Sequence, residues 1–233
     1  MTHGHFAALA RLACLGLLLS SAHLFCFSAC PEIDGDSHFQ KIYESESARV
    51  FTLELGRLES TTSYCPQHAY FYVVTSETET TDTPAGRVGW SHRWNSGEAR
   101  FVAEPKPHVI RNNMATTHRA VFVEILTKLE FNPLTKNYET DDFTGDLGSA
   151  KPTWTVSVEH GPMSAVKTQL GPADGLTISR RARVLIALND ISLHGSGRDI
   201  KLAREQVHVI SPESDFTVTN VGPFPAKFIT IAF

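Results

Sequence analysis

The stretch "KPHVIRNNMATTHRAVFVEI", residues 106–125, decides the fold. His108 stands four residues before Asn112, and small polar residues separate this pair from the strand-like run 120–125. Apolar β-branched and aromatic residues in such a run are typical of a buried β-strand. The stretch therefore predicts a strand, a polar turn at Asn112, and a second strand that lies in a core.

The last residues of the chain, "SDFTVTNVGPFPAKFITIAF" at 214–233, repeat this frame 108 positions later. Asn220 aligns with Asn112, whereas Phe216 aligns with His108. A slip of one residue would turn every side chain of a strand to the other face of its sheet. The apolar positions of the two segments stay in phase without a gap, which indicates two copies of one structural unit. One copy has a histidine where the other has a phenyl ring.

The composition is that of an ordinary folded protein. The chain has 233 residues, 42% of them hydrophobic and 20% charged, with a formal net charge of −4. Without a basic cluster, this balance argues against a nucleic-acid partner.

Strand-like runs dominate both halves of the chain. Examples are "ARVFTLELGRL" at 48–58 and "AYFYVVT" at 69–75, with Gly, Pro, Asn and Asp in the intervening turns. Short strands at this spacing predict an all-β fold of sandwiches or barrels. The predicted organisation is a signal at 1–30, a linker at 31–44, an N-terminal barrel at 45–131, a linker at 132–152 and a C-terminal barrel at 153–233.

The first thirty residues predict export. They contain no acidic residue, and an apolar run at 12–19 precedes small residues that end at Ala22. Cleavage after Ala22 would give a secreted or periplasmic protein, "FSAC" ending at Cys30 resembles a lipoprotein signal, and an uncleaved signal would be a single membrane anchor.

The four cysteines leave the redox state open. A lipid on Cys30 would leave Cys65 as a free thiol, whereas cleavage after Ala22 would leave three cysteines, an odd number. Neither count is typical of a disulfide scaffold.

The motif around His108 resembles the second signature of the cupin superfamily, and the internal repeat resembles a bicupin. "HVIRN" at 108–112 fits the histidine and asparagine of that signature, and "NSGEARFVAEPKP" before it fits the glycine turn, strand and proline. The first signature is weaker, since "CPQHAYFYVVTSE" supplies only His68, with Pro66 and Phe71 near the positions of a second histidine and an acid.

The resemblance implies two tandem jelly-roll barrels, the first of which could bind a divalent metal ion (Fe, Mn, Ni or Zn) through His68 and His108. Two imidazoles are fewer than the three protein ligands that catalytic metals usually have. Candidates to complete the set are Tyr70, Gln67, Cys65 and Glu98. The second barrel has Phe216 and Arg181 at the corresponding positions, and no metal is expected there.

Three further patterns have a structural and a functional interpretation. Trp90, His92 and Trp94 would share one face of a strand, either as packing or as a stacking platform for a sugar. The polar run 75–83 is interpreted as a solvated hairpin tip, with a hard-cation site as the alternative. Asn112 and its repeat are interpreted as residues that hold a turn through backbone hydrogen bonds.

Two functions remain open from the sequence. The first is an exported protein that binds a sugar or a small acid, or has a structural role, with a degenerate metal site. The alternative is a metal-dependent cupin enzyme of the dioxygenase or isomerase type that uses His68 and His108 as metal ligands; the sequence identifies no catalytic residue.

Overall fold

A computed structural model describes residues 31–103, 105–126, 154–160, 163–178, 181–195, 197–210 and 215–233. The predicted signal at 1–30 and the predicted linker at 132–152 lie outside these residues. None of the helical segments in the described ranges has the length and apolar character to span a membrane.

The fold is all-β, as the sequence predicts. The first half contains β1 (Phe39–Glu44), β2 (Ala48–Leu55), β3 (Tyr70–Val74), β4 (Thr78–Pro84), β5 (Trp90–Trp94), β6 (Ala99–Val102), β7 (His108–Asn112) and β8 (His118–Ile125). The second half contains β9 (Trp154–His160), β10 (Met163–Leu170), β11 (Gly175–Ile178), β12 (Ala182–Ala187), β13 (Ile191–Gly195), β14 (Arg198–Leu202), β15 (Val207–Val209), β16 (Phe216–Asn220) and β17 (Ala226–Ala232). The helical segment of the described chain is a short 3-10 turn at Ile33–Gly35.

Each half forms two antiparallel sheets of the jelly-roll type. In the first half the strand orders are β1-β2-β8-β3-β6 and β5-β4-β7; in the second they are β15-β12-β17-β10-β9 and β11-β16-β13-β14. Among the described residues, no strand of one half pairs with a strand of the other. The sheets face each other as separate layers and do not close into continuous barrels.

The two five-stranded sheets pack against each other through an apolar cluster that both halves share. The position of a residue along its strand determines whether its side chain enters this cluster, because successive side chains point to opposite faces of the sheet. In β3 and β8, Phe71, Val73, Val121 and Val123 enter the shared cluster, and the second half contributes residues such as Ile229. The second half therefore buries the outer face of the first half's large sheet.

A glycine turn of the first half also contacts the second half. Gly97 has a φ of +84°, which favours glycine. A Cβ atom there would lie 2.6 Å from Leu188 and 2.8 Å from Lys167, so a larger residue would require the ends of these two flexible side chains to shift. The Lys167 ammonium also donates to the Ser96 carbonyl at 3.3 Å. The glycine turn predicted from the sequence thus holds the two halves together.

The asparagine that both copies retain has the predicted structural role. Asn112 Nδ2 donates to the carbonyls of Leu55, Gly56 and Thr116 at 2.7–3.1 Å, and Oδ1 accepts from the Met114 N–H at 3.0 Å. Both hydrogen-bonding groups of the buried amide are used.

Asn220 repeats this pattern in the second half. Its Nδ2 donates to the carbonyls of Leu170 and Phe224 at 3.0 and 2.9 Å, and its Oδ1 accepts from the Gly222 N–H at 2.9 Å. Because the bonds match in both copies, the prediction of a turn-holding asparagine is confirmed.

Two predictions about polar segments are wrong. Residues 31–44 are not only a linker, because Phe39–Glu44 pairs with β2 and the buried Ile33 and Phe39 anchor the segment. Residues 75–83 are not a solvated hairpin tip either. Thr78–Pro84 forms the middle strand of the three-stranded sheet, and the alternate residues Thr78 and Thr80 are buried.

Candidate functional site

A cavity of about 480 Å³ lies between the two sheets of the first half. Its lining combines aromatic and charged side chains, namely Tyr70, Tyr72, Thr80, Asp82, Arg87, Trp90, His92, Trp94, Arg100, Val102, Lys106, His108, Ile110 and Phe122. This volume and mixture are usual for a site that binds a small molecule.

One wall is the three-stranded sheet. The register places Asp82 of β4 beside Trp90 of β5 and Ile110 of β7. His92 and Trp94 lie on the same face as Trp90 and line the cavity, as the alternation of the sequence predicts. Trp90 is 46% exposed at the rim, whereas Trp94 is buried. The indole pair is therefore part of the cavity wall and not only core packing.

The opposite wall belongs to the five-stranded sheet. Tyr72 of β3 is paired with Phe122 of β8 on one side and with Arg100 of β6 on the other. The Arg100 guanidinium carbon lies 4.8 Å from the centre of the Trp94 ring, which is a cation–π distance. This contact crosses the cavity from one sheet to the other and holds a buried cation against an aromatic wall.

His108 is buried, and both of its ring nitrogens have protein partners. Nδ1 lies 2.7 Å from the Lys106 carbonyl oxygen, and Nε2 lies 2.6 Å from the Tyr64 hydroxyl. Because a carbonyl oxygen only accepts, Nδ1 carries a hydrogen; Nε2 then accepts from the Tyr64 hydroxyl in the neutral ring and donates to it in the protonated ring. His108 therefore fixes the entry to β7, a structural role in addition to its place in the cavity wall.

Asp82 is the carboxylate among the lining residues. Its Oδ1 is buried and has no hydrogen-bond partner in the described part of the chain. Burial raises the pKa of Asp82 above its ordinary value, and the neighbouring His108 and Arg100 partly oppose that shift.

A second tyrosine–histidine pair lies behind the wall. The Tyr72 hydroxyl is 2.6 Å from Nε2 of His118, and the other ring nitrogen of this buried histidine has no partner among the described residues. Burial lowers the pKa of His118 to about 4, so the ring is neutral near pH 7.

The residues predicted as metal ligands are distributed unevenly around the cavity. His108 lines it, whereas His68 lies in the loop before β3 and is not among the lining residues. Of the candidates to complete the set, Tyr70 lines the cavity, and Gln67 Nε2 donates to the Cys65 carbonyl at 3.1 Å. Glu98 lies 3.6 Å from His92.

The described residues do not fit a metal centre with three protein ligands. They contain no group of three or more His, Cys, Asp or Glu side chains arranged to hold a metal ion. In addition, His108 Nε2 already makes a hydrogen bond with the Tyr64 hydroxyl. We therefore derive no chemical step through a metal, and ligation by His68 and His108 stays a prediction.

The redox state of Cys65, which the sequence leaves open, is that of a disulfide and not of a free thiol. Cys65 is disulfide-bonded, and its partner cysteine lies outside the described residues. The Cys65 N–H donates to the Pro31 carbonyl at 2.8 Å, so the backbone just after position 30 lies beside Cys65.

Among the described residues, the second half has apolar residues at several positions where the first half has polar cavity-lining residues, although His208 stands at the position of Arg100 and Thr230 at that of Phe122. Strand register gives the equivalent residues, because Asn112 and Asn220 pair with Thr80 and Leu193 respectively. Extending both ladders from there matches Tyr64 with Ile178, Tyr72 with Leu185, Asp82 with Gly195, His92 with Ile200, Trp94 with Leu202 and His108 with Phe216. At Gly195 a Cβ atom would lie 2.9 Å from the Thr217 carbonyl oxygen. An apolar cluster that includes Phe228 fills this interior, and Phe216 packs at its edge.

Several solved structures have a fold similar to that of this chain, and three of them illustrate the similarity. The salicylate 1,2-dioxygenase from Pseudoaminobacter salicylatoxidans, solved with gentisate, matches with a TM-score of 0.59 and 8% identity over 82% of this chain and 69% of that chain. A cupin 2 conserved barrel domain protein from Leptotrichia buccalis matches at 0.56 and 9% over 83% and 87%. AerE from Microcystis aeruginosa matches at 0.60 and 9% over 84% and 97%.

The sequence itself matches no family model and no curated protein. At identities this low, structural likeness is evidence for the fold and not for an activity. The chain has the cupin fold, as the resemblance around His108 implies.

Several cavity residues escaped the sequence-based interpretation. The sequence pattern places Asp82 in a solvated hairpin tip, and it identifies Arg100 and Tyr72 only as parts of strands. The available signal was the content of β-branched residues in "TETTDTP", whose four threonines favour a strand.

Proposed function

We propose that this chain is an exported small-molecule-binding protein of the bicupin type, and that its first jelly roll binds a small, ring-bearing acid without chemical conversion. The observation that carries the proposal is the cavity lining, in which Arg87, Arg100 and Lys106 surround aromatic walls and a single carboxylate, Asp82. Cationic side chains in a partly enclosed site attract an anion more strongly than they would in open water.

The aromatic walls explain why the proposed acid has a ring. Trp90 and Trp94 present flat apolar faces, and Phe122 closes the opposite side. A sugar ring or an aromatic ring buries its faces well against such residues. Because Arg100 is already held over Trp94, its charge is positioned before a ligand arrives, which lowers the cost of ordering on binding.

Export is part of the proposal and has independent support. The disulfide at Cys65 is typical of a protein that folds in an oxidising compartment. The apolar segment at 12–19, followed by small residues, supports the same conclusion.

Calorimetric titration of the mature protein tests the binding proposal. Cyclohexanecarboxylate should bind, and its methyl ester, which has the same ring without the charge, should bind at least tenfold more weakly. Arg100→Gln should weaken binding of the acid, whereas Arg57→Gln, an exposed arginine in the turn after β2, should not. Equal binding of acid and ester, or no binding of either, would exclude an anion site in this cavity.

The metal-dependent enzyme is the alternative, and metal content tests it. About one equivalent of Fe, Mn, Ni or Zn in the purified protein, lost in both His68→Ala and His108→Ala, would support that alternative. A metal that is lost only in His108→Ala would place the site in the cavity and remove His68 from it.

A further inference from the structure

Asp82 is the feature of the cavity that an anion site by itself does not require. Its Oδ1 is enclosed, and no N–H or O–H group of the described residues donates to it. A buried carboxylate oxygen without a donor is unfavourable, and such a group in a native structure calls for a partner. A carboxylate also repels an anionic ligand, so Asp82 opposes the three cations unless the ligand satisfies it.

The position of Asp82 shows which part of a ligand would meet it. Asp82 lies on the middle strand of its sheet, directly beside Trp90 and Ile110. Arg100 comes from the opposite sheet, and Arg87 and Lys106 are exposed at the rim. A ring held between the walls would therefore present one substituent to the cations and another to Asp82.

The charge balance of the cavity favours a neutral donor at Asp82. Three cationic side chains and one carboxylate leave the lining with an excess of positive charge. A ligand ammonium group would be repelled by this excess of positive charge, whereas a hydroxyl group can donate to the Asp82 carboxylate without adding charge.

We propose that Asp82 selects a hydroxylated ring acid, whose hydroxyl donates to the Asp82 carboxylate while its own carboxylate faces the cationic side of the cavity. This selection rests on the proposed function, because it assumes that the cavity binds an anion. Asp82 is then the specificity-determining residue of the site, and a ring acid without a hydroxyl is a poor ligand.

Calorimetry with matched acids tests the selection. At least one of the 3-hydroxy and 4-hydroxy isomers of cyclohexanecarboxylate should bind tenfold or more tightly than cyclohexanecarboxylate itself, which corresponds to about 1.4 kcal/mol. In Asp82→Ala the two affinities should change in opposite directions. The hydroxylated acid should bind more weakly because it loses its acceptor, and the unsubstituted acid should bind more tightly because it loses a repelling charge.

Two further variants keep the test decisive. Asp82→Asn preserves the shape of the side chain, so it carries the test if the alanine variant does not fold; the unsubstituted acid should again bind more tightly. Glu79→Gln removes one charge from the same strand at a residue outside the cavity lining, and the ratio of the two affinities should stay at the wild-type value.

The outcomes separate this inference from the proposed function. If the unsubstituted and hydroxylated acids bind equally well and Asp82→Ala leaves their ratio unchanged, the selection by Asp82 is overturned while the anion site stands. If no acid binds, the anion site and the selection both fail.

Discussion

Replacing the repeated asparagine with alanine should cost the same in both halves, although only one half has a cavity. Asn112→Ala removes an amide whose two hydrogens are shared among three carbonyls and whose oxygen accepts one backbone N–H. Asn220→Ala removes two donated bonds and one accepted bond. Each variant thus loses about three hydrogen bonds, and at ~1 kcal/mol for each the expected loss of unfolding free energy is about 3 kcal/mol.

Urea unfolding, followed by tryptophan fluorescence and far-UV circular dichroism, measures this cost. The slope of the unfolding free energy against urea should not change, because neither substitution alters the surface exposed on unfolding. Asn113→Ala is the neighbouring control; its half-buried amide donates to Thr81 Oγ1 at 2.9 Å, and its loss should cost about 1 kcal/mol or less. A cost below 1 kcal/mol for Asn112→Ala, or a large cost in one copy alone, would refute a shared turn-holding role.

The remaining predictions concern protonation, covalent structure and packing. His118→Gln should remove about 2 kcal/mol of the loss of stability between pH 7.5 and pH 5, because a histidine with a folded pKa of about 4 and an unfolded pKa of 6.5 stabilises the fold above 6.5 and loses that contribution as the pH falls; identical pH profiles for both proteins would contradict the buried neutral ring. Non-reducing peptide mapping should join Cys65 to Cys30, and reduction should cost about 4 kcal/mol; a diacylglycerol on Cys30 would exclude this pairing, since both modifications need the same sulfur. Phe216→Ala should cost about 1–2 kcal/mol in thermal unfolding, because its ring is half-buried at the edge of its cluster, and a cost above 3 kcal/mol would show full enclosure. His108→Ala should cost about 2–4 kcal/mol because it leaves the buried hydroxyl of its tyrosine partner unsatisfied, and an unchanged melting temperature would count against the structural role.

The fold could be predicted from the sequence because the apolar residues recur with the period of a β-strand. Apolar residues in phase over the repeat fix which side of β8 and β17 is buried, and the two asparagines mark equivalent turns. These features depend on neighbours along the chain or on two similar segments. The same alternation placed Trp90, His92 and Trp94 on one face.

The composition of the cavity depends on strand order, which periodicity does not encode. The order β1-β2-β8-β3-β6 brings Phe122 beside Tyr72 and Tyr72 beside Arg100, although these residues are far apart in the chain. The sequence pattern places Asp82 wrongly in a solvated hairpin tip for a related reason. A strand made of Thr and acidic residues has the composition of a loop, and only its central place in the smaller sheet encloses one face of it.

Strands β3 and β8 separate the cavity from the apolar cluster that the two halves share. The wall that they form is one residue thick. In β3, Tyr72 faces the cavity and its neighbour Val73 faces the second half; in β8, Phe122 and Val121 are divided in the same way. The second half thus packs against the back of the cavity wall of the first half. An apolar cluster fills the interior of the second half. Substitutions in its apolar face, such as at Ile229, should therefore alter the shape of the cavity on the far side of the sheet.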